Sequence, residues 1–152
     1  MTSPSGRLRE LGITLPSVAV PAGSYVPARR TGSLVFTAGQ IPLVDGVPAA
    51  TGKVGADVTP EQAADLARIC ALNGLAAVDA LVGLDAVAGV IKVVGFVASA
   101  PGFTGQPGVL NGASDLLAEV FGEAGRHARS AVGVAELPLG VPVEVELIVE
   151  LA

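Results

Sequence analysis

Near the C-terminus, one arginine at the start of an apolar stretch has the right chemistry to bind an anion. Arg129 directly precedes Ser130 to Ala135, a run of small apolar residues that predicts a strand enclosed on both sides. A guanidinium stays positively charged throughout the physiological pH range and binds a carboxylate through two parallel hydrogen bonds. The small residues Ala131 and Gly133 leave space beside it for a small ligand. Arg129 is therefore a candidate anion-binding residue.

An ion pair within the chain is the competing interpretation of the same arginine. A turn at Leu137 to Gly140 follows, and a hairpin centred there places Arg129 opposite Val149 or Glu150 rather than Glu144. On this pattern alone, an ion pair between Arg129 and a glutamate of the last strand is slightly favoured.

Other reactive side chains are scarce, which narrows the chemistry. The single histidine, His127, has no sequence feature that marks it as a base, and no G-x-S-x-G motif occurs. We interpret it as a residue at the C-terminal end of a helix, where the helix dipole would stabilise its positively charged form. The single cysteine, Cys70, lies in a helical apolar pattern and predicts a core residue. One histidine and one cysteine are too few for a zinc or iron site within one chain.

The order of predicted elements indicates an α+β domain of two layers. Thr59 and Gln62 form a capping box that begins a helix, and Gly83 is suited to end it. The predicted elements are a hairpin containing strand Leu34 to Ala38, this helix, a strand over Ala88 to Ser99, a helix from Val109 to Gly125, and strands over Ser130 to Glu136 and 141–151. We therefore expect a mixed β-sheet with two helices packed on one face.

The last strand alternates between two kinds of residue and so predicts two different faces. Val143, Val145, Leu147 and Val149 form one face, while the glutamates, interrupted by Ile148, form the other. One face is expected to pack under the helices, which leaves the other free to contact a neighbouring subunit. The composition also predicts an oligomer, because 51% of the residues are hydrophobic and only 15% are charged.

Charge and composition exclude several classes of partner. A net charge of −5 and an aromatic content of 3% argue against nucleic-acid binding. Val93 to Ser114 carries no charge, but prolines and glycines interrupt it, so we predict no membrane span. The N-terminus has charges and no apolar core, which is unlike a signal peptide. A cytoplasmic protein is therefore expected.

Three stretches of the sequence resemble one protein family over most of the chain, from about Tyr25 to the end. They are YVPARR, FTAGQIP and NGASDLLAEVFGEAGRHARSAVGVAELPLGVPVEVE. The most specific part is A-R-S-x-V-x-V-x-x-L-P followed by x-E-x-E. Together they resemble the reactive intermediate deaminases, the Rid family, also called YjgF or L-PSP proteins. The resemblance implies a chorismate mutase-like fold and a homotrimer with three clefts between its subunits.

The resemblance also implies which residues form the site. It matches the carboxylate-binding arginine to Arg129, the strand glutamate to Glu144, the cleft tyrosine to Tyr25 and the helix asparagine to Asn111. A cysteine of the family is replaced by Ala131, which keeps a backbone carbonyl but no thiol.

Two features mark the chain as a divergent branch of that family. Residues 1–23 form an N-terminal extension before a single Rid-like domain over 24–152, and Pro101 to Leu110 forms a long glycine-rich loop.

The activity that the resemblance implies is hydrolysis of 2-imino or 2-enamino acids to 2-keto acids and ammonia. Arg129 would hold the substrate carboxylate, and Glu144 or a backbone carbonyl would orient the attacking water. Positioning and one acid–base group suffice, so no metal or cofactor is expected. The alternative is a non-catalytic trimer that binds small carboxylates. RNA cleavage, also ascribed to this family, is disfavoured by the acidic charge.

Overall fold

The computed structural model describes residues 2–152, and its longest helix begins where the sequence predicts. Thr59 Oγ1 accepts a hydrogen bond from the Gln62 amide (3.1 Å), and the Thr59 amide donates to Gln62 Oε1 (2.9 Å), which confirms the capping box. Gly83 ends the helix with a φ of 80°, a value that favours glycine. The α-helices of the described residues are α1 (Pro4–Glu10), α2 (Pro60–Val82) and α3 (Gln106–Phe121).

One five-stranded mixed sheet and one small hairpin make up the β-structure. The strands are β1 (Ala28–Thr31), β2 (Leu34–Thr37), β3 (Leu43–Val44), β4 (Val47–Pro48), β5 (Val87–Ala98), β6 (Ala128–Val134) and β7 (Val143–Leu151). The large sheet has the order β1-β2-β7-β5-β6, and β3 pairs with β4 alone. Helices α2 and α3 pack against each other and against one face of this sheet. The predicted two-layer α+β fold is confirmed.

The core lies between the helices and the sheet, and one glycine allows the two helices to approach closely. Val143, Val145, Leu147 and Val149 of β7 are buried there, as their alternation predicts. A Cβ added at Gly112 of α3 would overlap the backbone carbonyl of Ala64 in α2. Only a glycine permits this helix–helix distance.

The position of strand β6 in the sheet shows that two predictions are wrong. It lies at the edge of the sheet, pairs only with β5 and is parallel to it, so it is not enclosed on both sides and forms no hairpin with β7. Helix α3 carries the chain from β5 back to the same end of the sheet, which makes β6 parallel to β5. Strand β7 then enters between β2 and β5. Arg129 is the second residue of β6 and does not precede the strand.

Helix α3 also differs from the prediction at both ends. It starts at Gln106, so half of the expected glycine-rich loop is helical. It ends at Phe121 and is capped by Gly122 (φ 62°), after which a short 3₁₀ helix continues to Gly125. The last residues of the predicted helix therefore lead into the turn before β6.

The N-terminal segment contains a helix that the sequence reasoning did not predict. Ser3 caps α1, with its Oγ accepting from the Gly6 amide (3.2 Å), and Pro4 follows at the first position. Ser5 fastens the helix to the domain, because its amide (2.8 Å) and hydroxyl (2.6 Å) both donate to the carboxylate of Asp85. The division of the chain at residue 23 stays a prediction.

The sheet face turned away from the helices, which we call the outer face, carries several apolar side chains. In this chain Phe36 is 42% exposed and Val132 is 45% exposed. Strand register places Val94, Phe96 and Ile148 on the same face. Lys92, Glu144 and Glu146 share this face with them, and a surface of exposed apolar residues bordered by charged ones is typical of a contact with another protein chain.

Candidate functional site

Arg129 is held by helix α3 through three acceptors that carry no charge. Its Nη1 donates to Asn111 Oδ1 (2.8 Å) and to Ser114 Oγ (3.1 Å), and its Nη2 donates to the Pro107 carbonyl (3.2 Å). Residue Arg129 pairs with Val93 in the strand register and therefore shares the helix-covered face of the sheet. The guanidinium thus packs against the first turns of α3.

The positive charge of Arg129 has no partner of opposite charge among the described residues. Among residues 2–152, no carboxylate forms an ion pair with it. The predicted ion pair with Glu150 is wrong, because β6 and β7 lie on opposite sides of β5 and are not paired. Of the five N–H groups of a guanidinium, the Nε–H and one on Nη2 have no partner among these residues. These groups are available to an anion.

Two other predicted site residues lie beside Arg129. Asn111 is exposed on α3 and contacts the guanidinium directly. Ala131 follows two residues later on β6, faces the same side and packs partly against the core. Arg129, Asn111 and Ala131 therefore form one cluster, which we call the anion half-site.

The anion half-site includes two residues that the sequence reasoning did not assign to it. Ser114 Oγ lies 2.8 Å from Nε2 of His127, and Nδ1 of His127 lies 2.7 Å from the Gly125 carbonyl oxygen. His127 is therefore part of a hydrogen-bonded chain that ends on Arg129. The spacing offered a signal, since Asn111 and Ser114 are three residues apart and so share one face of a helix.

Glu144 lies on the other side of the sheet, half-buried near the end of β2. It faces Gly39, where an added Cβ would come within 2.9 Å of the carboxyl carbon of Glu144. The chain is held at this distance by a bridge in which the Gln40 amide donates to the Val145 carbonyl (2.8 Å). Burial, and then repulsion from Glu146, raises the pKa of Glu144. Glu144 is thus a carboxyl whose proton is easier to retain than usual.

Tyr25 lies on the Glu144 side of the molecule and not beside Arg129. It is 51% exposed, and its hydroxyl accepts a hydrogen bond from the Ala22 amide (3.2 Å). Tyr25 and Gly39 line a common cavity of about 220 Å³. We call Tyr25, Gly39 and Glu144 the acid half-site.

The fold keeps the two half-sites apart within one chain. In the strand register Arg129 aligns with Val93 of β5, whereas Glu144 aligns with Phe96, three residues further along. Because side chains alternate along a strand, Val93 and Phe96 point to opposite faces of the sheet. Arg129 and Glu144 therefore cannot contact the same small molecule in one isolated chain.

Over the described part of the chain, the structure shows neither a cluster of metal-ligating side chains nor a membrane-spanning helix. Among residues 2–152, no group of three histidine, cysteine, aspartate or glutamate side chains is arranged to hold a metal ion. Cys70 is buried, and burial raises the pKa of its thiol, which makes it unreactive. Over the same residues, no helix is long and apolar enough to cross a membrane.

Comparison with known proteins matches this chain to one family. The family model described as YjgF/chorismate mutase-like, which is also provisionally named an endoribonuclease, matches residues 5–151. Protein TCP17 of Trypanosoma cruzi is 47% identical over 149 residues, covering 97% of this chain and 93% of the relative.

Solved structures agree with that match. Protein Atu1372 of Agrobacterium tumefaciens, described as having unknown function, superposes with a TM-score of 0.90 at 48% identity, covering 98% of this chain and 92% of its own. A protein of Shewanella oneidensis, provisionally named an endoribonuclease, gives 0.93 at 35% identity and covers 98% and 99%. Escherichia coli TdcF, whose structure contains bound serine, gives 0.64 at 28% identity and covers 91% and 96%.

Proposed function

Because the chain belongs to the YjgF/chorismate mutase-like family, we propose that it hydrolyses reactive 2-imino and 2-enamino acids to 2-keto acids and ammonia. The proposal rests on the hydrogen bonds of Arg129 and on its unpaired positive charge among the described residues. Its guanidinium is fixed by three neutral acceptors, has no carboxylate partner among residues 2–152 and keeps N–H groups available. A permanent cation prepared in this way is suited to a small carboxylate.

The substrate class follows from what Arg129 can recognise. Two parallel hydrogen bonds to a carboxylate would fix the adjacent C=N carbon relative to the protein. The serine in Escherichia coli TdcF supports this class, since serine is a small molecule that carries a carboxylate next to an amino-bearing carbon. Asn111 and Ala131 border the same position and would limit the size of the bound group.

Glu144 is the proposed acid–base group of the reaction. The oxygen of a water molecule bonds to the imine carbon while a water proton passes to Glu144, and the protonated carboxyl then delivers a proton to nitrogen. The hydroxyl proton of the resulting carbinolamine then passes through Glu144 to the amino nitrogen, the C–N bond breaks as the C=O bond forms, and ammonia leaves. A carboxyl whose pKa is raised by burial suits both steps, because it can release its proton as well as accept one. No metal or cofactor is needed for this sequence.

A homotrimer would supply the complete site. Arg129 and Glu144 lie on opposite faces of one sheet, so the anion half-site of one copy would have to meet the acid half-site of its neighbour. The apolar outer face, with Phe36 and Val132 exposed, is the surface proposed to bring copies together. The expected mass is about 45 kDa, three times the 15.0 kDa chain. Its single cysteine is in keeping with a cytoplasmic trimer.

Enzyme assays on three variants test the proposal. The enamine 2-aminoacrylate and its imine tautomer are generated in a coupled reaction, and release of ammonia or keto acid is followed. Arg129→Ala and Arg129→Lys should each lose about tenfold or more in kcat/KM, since lysine keeps the charge but not the planar pair of donors. Arg126→Ala is the matched control, because Arg126 is exposed and pairs with Glu123. Full activity in a trimeric Arg129 variant would exclude Arg129 as the anchor.

The same assay distinguishes the alternative function. A wild-type trimer that binds pyruvate through Arg129 but does not accelerate imine hydrolysis would be a non-catalytic carboxylate-binding module. Cleavage of RNA that persists in Arg129→Ala would instead support the endoribonuclease name given to the family, against the net charge of −5.

A further inference from the structure

His127 and Ser114 form a hydrogen-bonded chain that ends on the guanidinium of Arg129. The Gly125 carbonyl lies 2.7 Å from Nδ1 of His127, and Nε2 lies 2.8 Å from Ser114 Oγ. Ser114 Oγ in turn accepts from Nη1 of Arg129 (3.1 Å). All three side chains are partly buried. The proposed reaction assigns no role to His127 or Ser114.

The position of each proton in this chain follows from what the end groups can do. A carbonyl oxygen only accepts, so the hydrogen of the neutral imidazole must lie on Nδ1 and point to Gly125. Nε2 then carries a lone pair, and the hydroxyl of Ser114 donates to it. With its hydrogen committed to His127, Ser114 presents only lone pairs to Arg129. The ring thus fixes the serine as an acceptor.

An acceptor fixed in this way helps the Pro107 carbonyl to hold the plane of the guanidinium. Both hydrogens of Nη1 have partners, Asn111 Oδ1 and Ser114 Oγ, which lie three residues apart on α3. Asn111 is exposed, whereas Ser114 is partly buried and also hydrogen-bonded to His127. Because the plane of a guanidinium sets the direction of its remaining N–H groups, the serine and the Pro107 carbonyl together set where a bound carboxylate points.

We propose that Ser114 and His127 are positioning residues that hold Arg129 in the orientation needed to align a planar carboxylate. The inference rests on the proposed function for its effect on catalysis, but the restraint on Arg129 is a property of the protein without ligand. Misalignment of the reacting carbon should lower kcat more than it raises KM, since the charge that attracts the carboxylate remains.

The kinetic test compares variants that remove the chain with variants that preserve it. Ser114→Ala and His127→Leu should lower kcat about tenfold or more with little change in KM. Ser114→Thr keeps a hydroxyl and His127→Gln keeps an acceptor for it, so each should recover much of the rate. Asp115→Asn is the control, because Asp115 is the next residue of α3 and is exposed.

A double-mutant cycle separates positioning from a general structural effect. If Ser114 acts through Arg129, adding Ser114→Ala to Arg129→Lys should cause almost no further loss of kcat/KM. Losses that simply multiply would mean that Ser114 acts independently of Arg129 and would overturn the proposal.

A measurement without substrate keeps the inference testable if imine hydrolysis itself is absent. In ¹⁵N-labelled wild-type protein, restrained rotation should give Arg129 separate signals for its two Nη groups, and these should exchange faster in Ser114→Ala, where only Asn111 and Pro107 still hold the group. Separate signals in the wild type with no imine hydrolysis would contradict the proposed function alone. Identical signals in wild type and Ser114→Ala would overturn the positioning role, whatever the activity.

Discussion

Arg129 and Glu144, the two charged groups proposed for one reaction, have surroundings of opposite kind. Arg129 is surrounded by neutral acceptors on α3, which orient the guanidinium without cancelling its charge. Glu144 is half-buried and packs closely against Gly39. Its surroundings raise its pKa and so disfavour the ionised carboxylate. One environment preserves a charge, and the other makes a charge easier to lose.

The difference matches the two tasks that an imine hydrolase needs. A binding cation must stay charged, and a guanidinium cannot lose its proton in a protein, so neutral acceptors are enough to hold it. A proton-transfer group must change its charge during the reaction, which a fully solvated carboxylate at neutral pH does poorly. The two environments also lie on opposite faces of the sheet, so in the proposed trimer each chain would contribute one half to each of two different sites.

Disruption of the outer face should have the largest effect on this arrangement. Val132→Asp places a charge on a surface proposed to be covered, which should prevent assembly and reduce imine hydrolysis to the uncatalysed rate. Leu81→Asp is a matched control, because Leu81 is equally exposed at 45% but lies on α2. Light scattering and the coupled assay report assembly and activity together. A monomeric Val132→Asp variant with full activity would show that one chain contains the whole site.

Mixed oligomers should separate the two half-sites directly. Arg129→Ala and Glu144→Gln proteins should each be almost inactive, but coassembly of equal amounts should restore about a quarter of the wild-type activity. That fraction is the chance that a native anion half-site meets a native acid half-site in a random trimer. Wild type coassembled with the double variant is the control for dilution. No recovery in freely exchanging mixtures would mean that both residues act within one subunit.

Local signals in the sequence predict the elements of this fold better than their arrangement. The capping box at Thr59 and the alternation of β7 depend on neighbouring residues, and both are confirmed. The edge position of β6 depends on α3 acting as a crossover and on β7 entering beside β5, which are contacts between distant parts of the chain. The turn before β7 looks like a hairpin turn locally, so the pattern alone favoured the wrong pairing.

The candidate site could also be predicted only in part, because some of its contacts join residues that are distant in the sequence. Resemblance supplied Arg129 and Asn111, and the structure brings those two into contact. His127 was interpreted as a helix-end residue because nothing in its immediate neighbours marks a partner thirteen positions away, yet it hydrogen-bonds to Ser114. The unpredicted helix α1 is different, since Ser3 and Pro4 carry an ordinary helix-start signal that was open to recognition.

Gly112→Ala should disturb the anion half-site and leave the acid half-site unchanged. The added methyl would overlap the Ala64 carbonyl, so α3 must shift, together with Asn111 and Ser114 on either side of Gly112. Overpacking of this kind costs about 1–3 kcal/mol of unfolding free energy. Denaturant unfolding and calorimetric titration with pyruvate would measure both effects. Gly108→Ala is the control, because nothing lies within 4 Å of its Cβ position, and it should be neutral or stabilising.

The smallest expected effect is on the pH dependence of stability, and it tests the acid half-site alone. Burial raises the folded-state pKa of Glu144 above its ordinary value of 4.5, so between these two values the folded protein binds more protons than the unfolded chain. The protonated group therefore makes its full favourable contribution to the free energy of unfolding below pH 4.5. This contribution is lost as the pH rises through the folded-state pKa. Glu144→Gln removes this loss, so its Tm should exceed that of the wild type by a few degrees at pH 7 and equal it at low pH. Glu150→Gln, an exposed position on the same strand, should shift Tm little at either pH. A lower Tm for Glu144→Gln at neutral pH would mean that the assembled protein stabilises the charged carboxylate, and Glu144 would then be a poor candidate for proton transfer.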